Sequence, residues 1–213
     1  MTLRTAPFAV NIAANLVVAA LAIAPLAVAI APAVAQLGQS EGYKFLQSVK
    51  DSKNDEVIAA LEKPGVTVVN TRDRSSGEGA IHIVVRRGDM AYLSYLLSKG
   101  ADANLRDDKG ETGILLAARL GRKEMIDALA KSGGNVNLAN GSGETPLIIA
   151  VQRRDPTLVR DLLDLGADPD QSDHLQGFSA RDYAHQDARS PTIGQMIDAT
   201  PKKARRAVSG PKL

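Results

Sequence analysis

The chain has 213 residues, with 26 lysines and arginines against 24 acidic residues, and it contains no cysteine. The lack of cysteine excludes a disulfide-stapled scaffold and a cysteine nucleophile, so the fold must be held by packing alone. Charge is unevenly distributed, because residues 36–200 carry 20 basic against 24 acidic side chains whereas residues 201–213 carry five basic and no acidic ones.

The amino-terminal segment has the pattern of an export signal. An almost unbroken apolar stretch from Phe8 to Ala35 follows one positive charge, Arg4, and small residues stand at Ala33 and Ala35, where signal peptidase requires them. We expect a signal peptide at residues 1–35, cleaved after Ala35. An uncleaved membrane anchor is the alternative, since the stretch approaches the roughly 20 residues that span a bilayer. In both cases the rest of the chain is expected outside the cytoplasm, in the periplasm or secreted.

A repeat begins further along the chain. The positions that recur at an offset of 33 residues are Gly88, Leu96, Gly100 and Asn104, matched by Gly121, Leu129, Gly133 and Asn137. Leu162 and Gly166 continue the series into a third copy. A period of this length is typical of a solenoid in which each unit stacks on the next.

The residue types have physical reasons at their places within a unit. Thr145 can cap the free amides of a following helix, and Pro146 suits its first turn. Gly100 and Gly133 can end the second helix of a unit in the left-handed conformation. Compact residues such as Ala117 allow neighbouring first helices to approach closely. Each unit is therefore predicted to be a helix pair that buries its core only by stacking.

These features resemble the ankyrin repeat, whose consensus opens with a glycine turn and Thr-Pro-Leu-His and closes with Gly-Ala-Asp. The third copy matches best, with Thr-Pro-Leu at residues 145–147 and Gly-Ala-Asp at 166–168, and the first copy keeps the histidine as His82. The resemblance implies an all-α ankyrin-repeat solenoid of stacked helix-turn-helix units with short hairpin tips. Together with the amino-terminal leader, it indicates an exported ankyrin-repeat protein of bacterial type.

The flanks and the repeats give a predicted domain organisation. Terminal units of such a stack are atypical because only one side is covered. The predicted segments are a signal peptide at 1–35, a degenerate amino-terminal capping repeat at 41–75, ankyrin repeats at 76–108, 109–141 and 142–174, a carboxy-terminal capping repeat at 175–199, and a disordered basic tail at 200–213.

The sequence offers no catalytic constellation. The single Gly-x-Ser-x-Gly string, at residues 38–42, follows the leader rather than a buried strand, and Gly-Lys never occurs. The resemblance implies that His82 bonds to the backbone, and we expect His174 and His185 to be solvated. Residues 168–173 lack the glycine that a calcium loop requires. We therefore predict a non-enzymatic protein without a metal or another cofactor.

The resemblance implies that binding uses the concave face, made by the first helices, and the hairpin tips. The basic residues at the concave positions are Arg86, Arg87, Arg119 and Arg153, and the residues singled out at the tips are Asp107, Lys109 and His174. The arginines would form a basic stripe able to bind carboxylates or phosphates; ordinary solvated side chains are the other interpretation.

The compartment and the stripe together indicate a partner class. We expect a protein partner, an acidic one if the stripe binds it, no nucleic acid, contact with a membrane only if the leader is uncleaved, and a monomeric chain. The alternative is an envelope-associated protein that its basic tail or its leader holds to anionic lipid or surface polymer.

Overall fold

The structure is a computed structural model that describes residues 40–63 and 68–201, and these segments form ten helices. The helices are α1 Glu41–Lys50, α2 Asn54–Leu61, α3 Ala80–Arg87, α4 Met90–Ser98, α5 Gly113–Leu120, α6 Lys123–Lys131, α7 Pro146–Gln152, α8 Pro156–Asp164, α9 Ala180–Gln186 and α10 Pro191–Asp198. Within those segments the sheet-like pairing amounts to two isolated antiparallel bridges. The predicted signal peptide and the tail from residue 202 lie outside the described residues, and none of the described helices is long and apolar enough to cross a membrane.

The helices stack as pairs. Each odd-numbered helix packs against the even-numbered helix that follows it and against the next odd-numbered helix, so that α1, α3, α5, α7 and α9 form an inner layer. The even-numbered helices form the outer layer. The prediction of an all-α repeat solenoid is confirmed.

The core follows the 33-residue period. Leu96, Leu129 and Leu162 stand at the same place in three successive outer helices, and all three are fully buried. Ala117 and Ala150 are also fully buried on the inner helices, where their small size allows close helix approach. At the amino-terminal end Ile58, on α2, is 39% exposed.

Hydroxyl caps start the inner helices as the residue types predicted. The side-chain oxygens of Thr112, Thr145 and Ser179 each accept the backbone N–H three residues further on, at 3.2–3.3 Å. In the first repeat the cap position is Gly79, whose N–H donates instead to Nδ1 of His82 at 3.1 Å. The Nε2 atom of His82 lies 2.9 Å from the carbonyl oxygen of Glu111, and the ring is buried. The predicted structural role of His82 is confirmed.

The recurring asparagines tie each unit to the next. The side-chain amide of Asn104 donates to the carbonyl of Gly133 at 2.9 Å and accepts the N–H of Asn135 at 2.7 Å. Asn70 and Asn137 make the equivalent pair of bonds to the units that follow them. Since these amides reach the backbone at the end of an outer helix, they fix the register of one repeat against its neighbour.

The stack closes at its carboxyl end with a buried arginine. Arg181 in α9 binds Asp170 at 2.8 Å and Asp198 at 3.2 Å, and it also donates to the carbonyls of Ile197 at 2.8 Å and Thr200 at 3.2 Å. The hydrogen bonds that Arg181 donates to Asp170 and, further, to Asp198 raise the pKa of Arg181 above its ordinary value, against the opposing effect of burial. This side chain therefore joins the last helix pair through charge-assisted bonds.

Replacement of Leu129 by alanine tests the repeat alignment. Because Leu129 is fully buried, Leu129→Ala should lower the free energy of unfolding by roughly 2 to 5 kcal/mol through loss of contacts and a residual cavity. Chemical denaturation measures this change. The matched control is Leu120→Ala, since Leu120 is 42% exposed and its loss should cost less than about 0.5 kcal/mol. Equal effects of the two substitutions would contradict the alignment.

Candidate functional site

The concave face carries two arginines at equivalent places, Arg86 near the end of α3 and Arg119 near the end of α5. Both side chains are about half exposed, at 54% and 45%. The 33-residue period therefore does bring the two side chains onto one face in register, as the sequence predicted. Their immediate neighbours, however, differ from the expectation.

A row of glutamates lies beside these arginines. Glu78 binds Arg86, and Arg119 contacts Glu111 at 3.0 Å and Glu144 at 3.4 Å. The three carboxylates are only 16–19% exposed, so the arginine heads partly cover them. The hydrogen bond that Arg86 donates to Glu78 raises the pKa of Arg86 above its ordinary value. The stripe is consequently a mixed-charge face rather than a purely basic one.

The sequence contained a signal for the glutamate row that helix positions alone missed. Each of the three turn glycines is followed by a glutamate, and the pairs fall at residues 77–78, 110–111 and 143–144. Each Gly-Glu pair precedes the inner helix of its repeat. In the first two repeats that helix carries an arginine eight residues after the glutamate. A pairing across that distance becomes apparent only when the turn is folded.

The other two arginines of the stripe bond to backbone carbonyls. Arg87 donates to Val49 O at 3.0 Å at the end of α1, and Arg153 donates to Arg119 O at 2.7 Å at the end of α5. Arg122, which was not singled out, makes the same kind of bond to Arg86 O at 3.1 Å. Cations are favourable at helix carboxyl ends, where carbonyls lack partners. These arginines therefore hold each inner helix to the following unit.

Asp107 occupies a structural place at its hairpin tip. The side chain is buried, and its Oδ1 atom accepts the N–H groups of Lys109 at 2.9 Å and of Glu111 at 2.7 Å. A carboxylate used in this way sets the turn rather than presenting charge to solvent. Lys109, by contrast, is exposed, and no ion pair of its ammonium is found within residues 40–63 and 68–201.

The tips are joined in a row by backbone hydrogen bonds. Gly141 N donates to Lys109 O at 2.8 Å, and His174 N donates to Ser142 O at 2.8 Å. The His174 side chain is exposed, as predicted. Each tip is thereby held at a fixed place beside the one before it.

A polar cleft of about 520 Å³ opens where the tips meet the concave face. Its lining residues are Lys109, Glu111, Arg119, Asn140, Gly141 and Ser142. Of the seven residues singled out from the sequence, this cleft brings together Lys109 and Arg119. Asp107 shapes its tip, while Arg86, Arg87, Arg153 and His174 lie outside the lining.

In the part of the chain that the structure describes, acidic side chains that were candidates for a metal site have structural roles. Asp170 binds Arg181, and Asp173 accepts the hydroxyl of Tyr183 at 2.5 Å. Among the described residues no group of three or more histidine or acidic side chains is placed to hold a metal ion. The face is suited to forming hydrogen bonds and ion pairs.

Comparison with known families identifies the repeat. The chain matches a family model described as ankyrin repeats (3 copies) over residues 34–140 and again over residues 81–173, together more than half of its length. A search of the curated proteins gives no match.

Removal of the guanidinium of Arg153 should weaken the junction between two repeats. Arg153→Ala leaves the carbonyl of Arg119 without its cation and should lower the free energy of unfolding by about 0.3 to 1 kcal/mol. Arg160→Ala is the control, because Arg160 is exposed on the outer helix α8. Urea denaturation compares them, and equal stability of the two variants would show that the carbonyl bond contributes nothing.

Proposed function

Since the chain belongs to the ankyrin-repeat family, whose members are generally protein–protein interaction modules and typically non-enzymatic, we propose that it is an exported monomeric scaffold that binds another protein through its concave face and hairpin tips. The observation that carries this proposal is the polar cleft of Lys109, Glu111 and Arg119. The concave face and the hairpin tips, which are the two surfaces that the family uses for binding, meet in this cleft.

The cleft is suited to an acidic side chain of the partner. The Lys109 ammonium is exposed beside Arg119, whose guanidinium is 45% exposed although it also contacts Glu111 and Glu144. A partner carboxylate could bond to the ammonium and to the outward N–H groups of Arg119. Because Glu111 is 16% exposed at the bottom of the same cleft, a purely acidic surface would meet repulsion there, so a single carboxylate fits better.

The remaining predicted residues extend or support this surface. Arg86 lies one repeat before Arg119, and the exposed His174 lies on the tip beside Ser142. We propose that these two contact the partner at the flanks. Arg87, Arg153 and Asp107 then contribute by holding the inner helices and the tip in place.

We propose export because of the apolar, acid-free segment at residues 8–35 and the Ala-Val-Ala ending at residues 33–35. The partner would then be a protein of the periplasm or of the cell exterior. Intact-mass measurement tests this: the mature chain is expected to begin at Gln36 and to be recovered in the soluble exported fraction. A mass that retains residues 1–35, found in the membrane pellet, would instead favour the envelope-associated alternative.

Neutralising the cleft should weaken partner capture without unfolding the stack. In Lys109→Gln with Arg119→Gln, two exposed cations are lost, and the affinity should fall by at least about tenfold at low salt if both bind a carboxylate. The partner is first captured from the exported fraction by the wild-type chain, purified, and then titrated against each variant at about 50 mM and about 300 mM salt.

The control is the double variant Lys131→Gln with Arg160→Gln, which removes the same charges from the outer helices α6 and α8. Its affinity should equal that of the wild type. Both double variants should unfold within about 1 kcal/mol of the wild type, because exposed side chains contribute little to stability. Undiminished affinity of the cleft variant would move the binding site away from the cleft.

A further inference from the structure

The concave face ends in a second cavity, at the junction of α7 and α9. Its volume is about 280 Å³, and its lining residues are Val151, Gln152, Arg154, Tyr183, Gln186, Asp187 and Arg189. None of these residues was among the partner-binding residues predicted from the sequence. The cavity is separate from the polar cleft, with which it shares no lining residue.

The backbone of Arg154 is strained. Its φ angle is +54°, in the left-handed region, where the two preceding repeats have Gly88 at +82° and Gly121 at +69°. A residue with a Cβ atom is disfavoured there, and such outliers persist where another interaction holds them and cluster at binding sites. In this repeat alone of the three, the position that glycine normally fills carries a long cationic side chain aimed at the next unit.

Arg154 and Arg189 share one carboxylate. Arg154 binds Asp187 through Nε, and Arg189 contacts the same carboxylate at 3.2 Å. The arginines are 42% and 75% exposed, whereas Asp187 is 20% exposed. Asp187 is the single carboxylate in the cavity's lining, so the rim has an excess of one positive charge that faces solvent.

The wall of the cavity is apolar and rigid. Val151 is buried, and the ring of Tyr183 packs edge-on against Phe178 with 5.6 Å between centroids. The hydroxyl of Tyr183 donates to Asp173 at 2.5 Å, which fixes the ring from its other end. A fixed aromatic wall next to a cationic rim is the arrangement found at energetically dominant parts of protein interfaces.

We propose that this cavity is an anchor pocket for a partner segment that carries an apolar side chain beside a carboxylate. The apolar side chain packs on the ring of Tyr183, and the carboxylate binds Arg154 and Arg189 at the rim. The inference rests on the proposed function, because it assigns a second contact to the same protein partner. It also gives a binding role to the arginine that stands at a backbone position suited to glycine.

Capped dipeptides test the pocket without an identified partner. The isotopically labelled full-length chain is titrated with acetyl-Leu-Glu-amide, and saturable NMR shifts are expected at the amides of Val151, Tyr183 and Gln186, with a dissociation constant in the millimolar range. Acetyl-Leu-Gln-amide lacks the carboxylate, and acetyl-Gly-Glu-amide lacks the apolar side chain. Each should therefore bind at least about fivefold more weakly. Equal binding of all three probes, or no saturable shift at these amides up to about 10 mM, would overturn the proposal.

Arg154→Gly separates binding from folding. Glycine is the residue of the two equivalent positions, so the melting temperature should be unchanged or raised while binding of acetyl-Leu-Glu-amide falls at least about fivefold. Arg189→Gln, at a highly exposed position, should weaken binding in the same direction, and Arg160→Gln on α8 should not. Wild-type affinity for acetyl-Leu-Glu-amide in both Arg154→Gly and Arg189→Gln would contradict the proposal.

The two proposals fail in distinguishable ways. In one outcome the dipeptides fail to bind while the wild-type chain still captures a protein, and that capture still weakens on substitution of Lys109 and Arg119. This outcome would rule out the anchor pocket and leave the proposed scaffold function in place. Dipeptide binding at the pocket, with no protein captured by the wild-type chain, would remove the scaffold function instead.

Discussion

The burial of the inner helices α3, α5 and α7, each between two other inner helices, is the constraint on which the rest of the molecule depends. A single helix pair of this size has too little core to be stable alone, so the units share a continuous one. Small side chains such as Ala117 and Ala150 allow the inner helices to approach, and large ones such as Leu129 fill the space behind them. The tips and the concave face have fixed geometry because they are carried by this shared core.

Much of the fold was predictable because it repeats. The 33-residue period marked Leu129 as a recurring position, the residue type of Thr145 predicted a helix cap, and the resemblance to the ankyrin repeat implied a structural role for His82; each lies where its local chemistry requires. The predictions were weakest for long charged side chains. Their ends reach well beyond their own helix, so the contacts of Arg119 with Glu111 and Glu144 depend on a folded turn and on the following repeat.

The arginines of the concave side divide into two groups with different consequences for evolution and for engineering. Arg87 and Arg153 donate hydrogen bonds to carbonyls at helix ends, so their loss would first lower the stability of the stack. Arg86 and Arg119 lie over half-hidden carboxylates and keep part of each guanidinium exposed. A face built in this way attracts charged groups over short distances only, since its paired charges largely cancel further out.

Because of Arg181, the two ends of the molecule differ in their resistance to a pulling force. Contacts in the stack run between neighbours, so a pulling force must open it unit by unit from a terminus. At the carboxyl end, force applied beyond Thr200 meets the four bonds by which Arg181 joins Asp170, Asp198 and the carbonyls of residues 197 and 200. At the amino end, α2 buries Val57 alone, whereas α10 at the carboxyl end buries Ile193 and Ile197. The helix pair at the amino end would therefore peel away first, and the units that carry the polar cleft and the terminal cavity would stay folded longer.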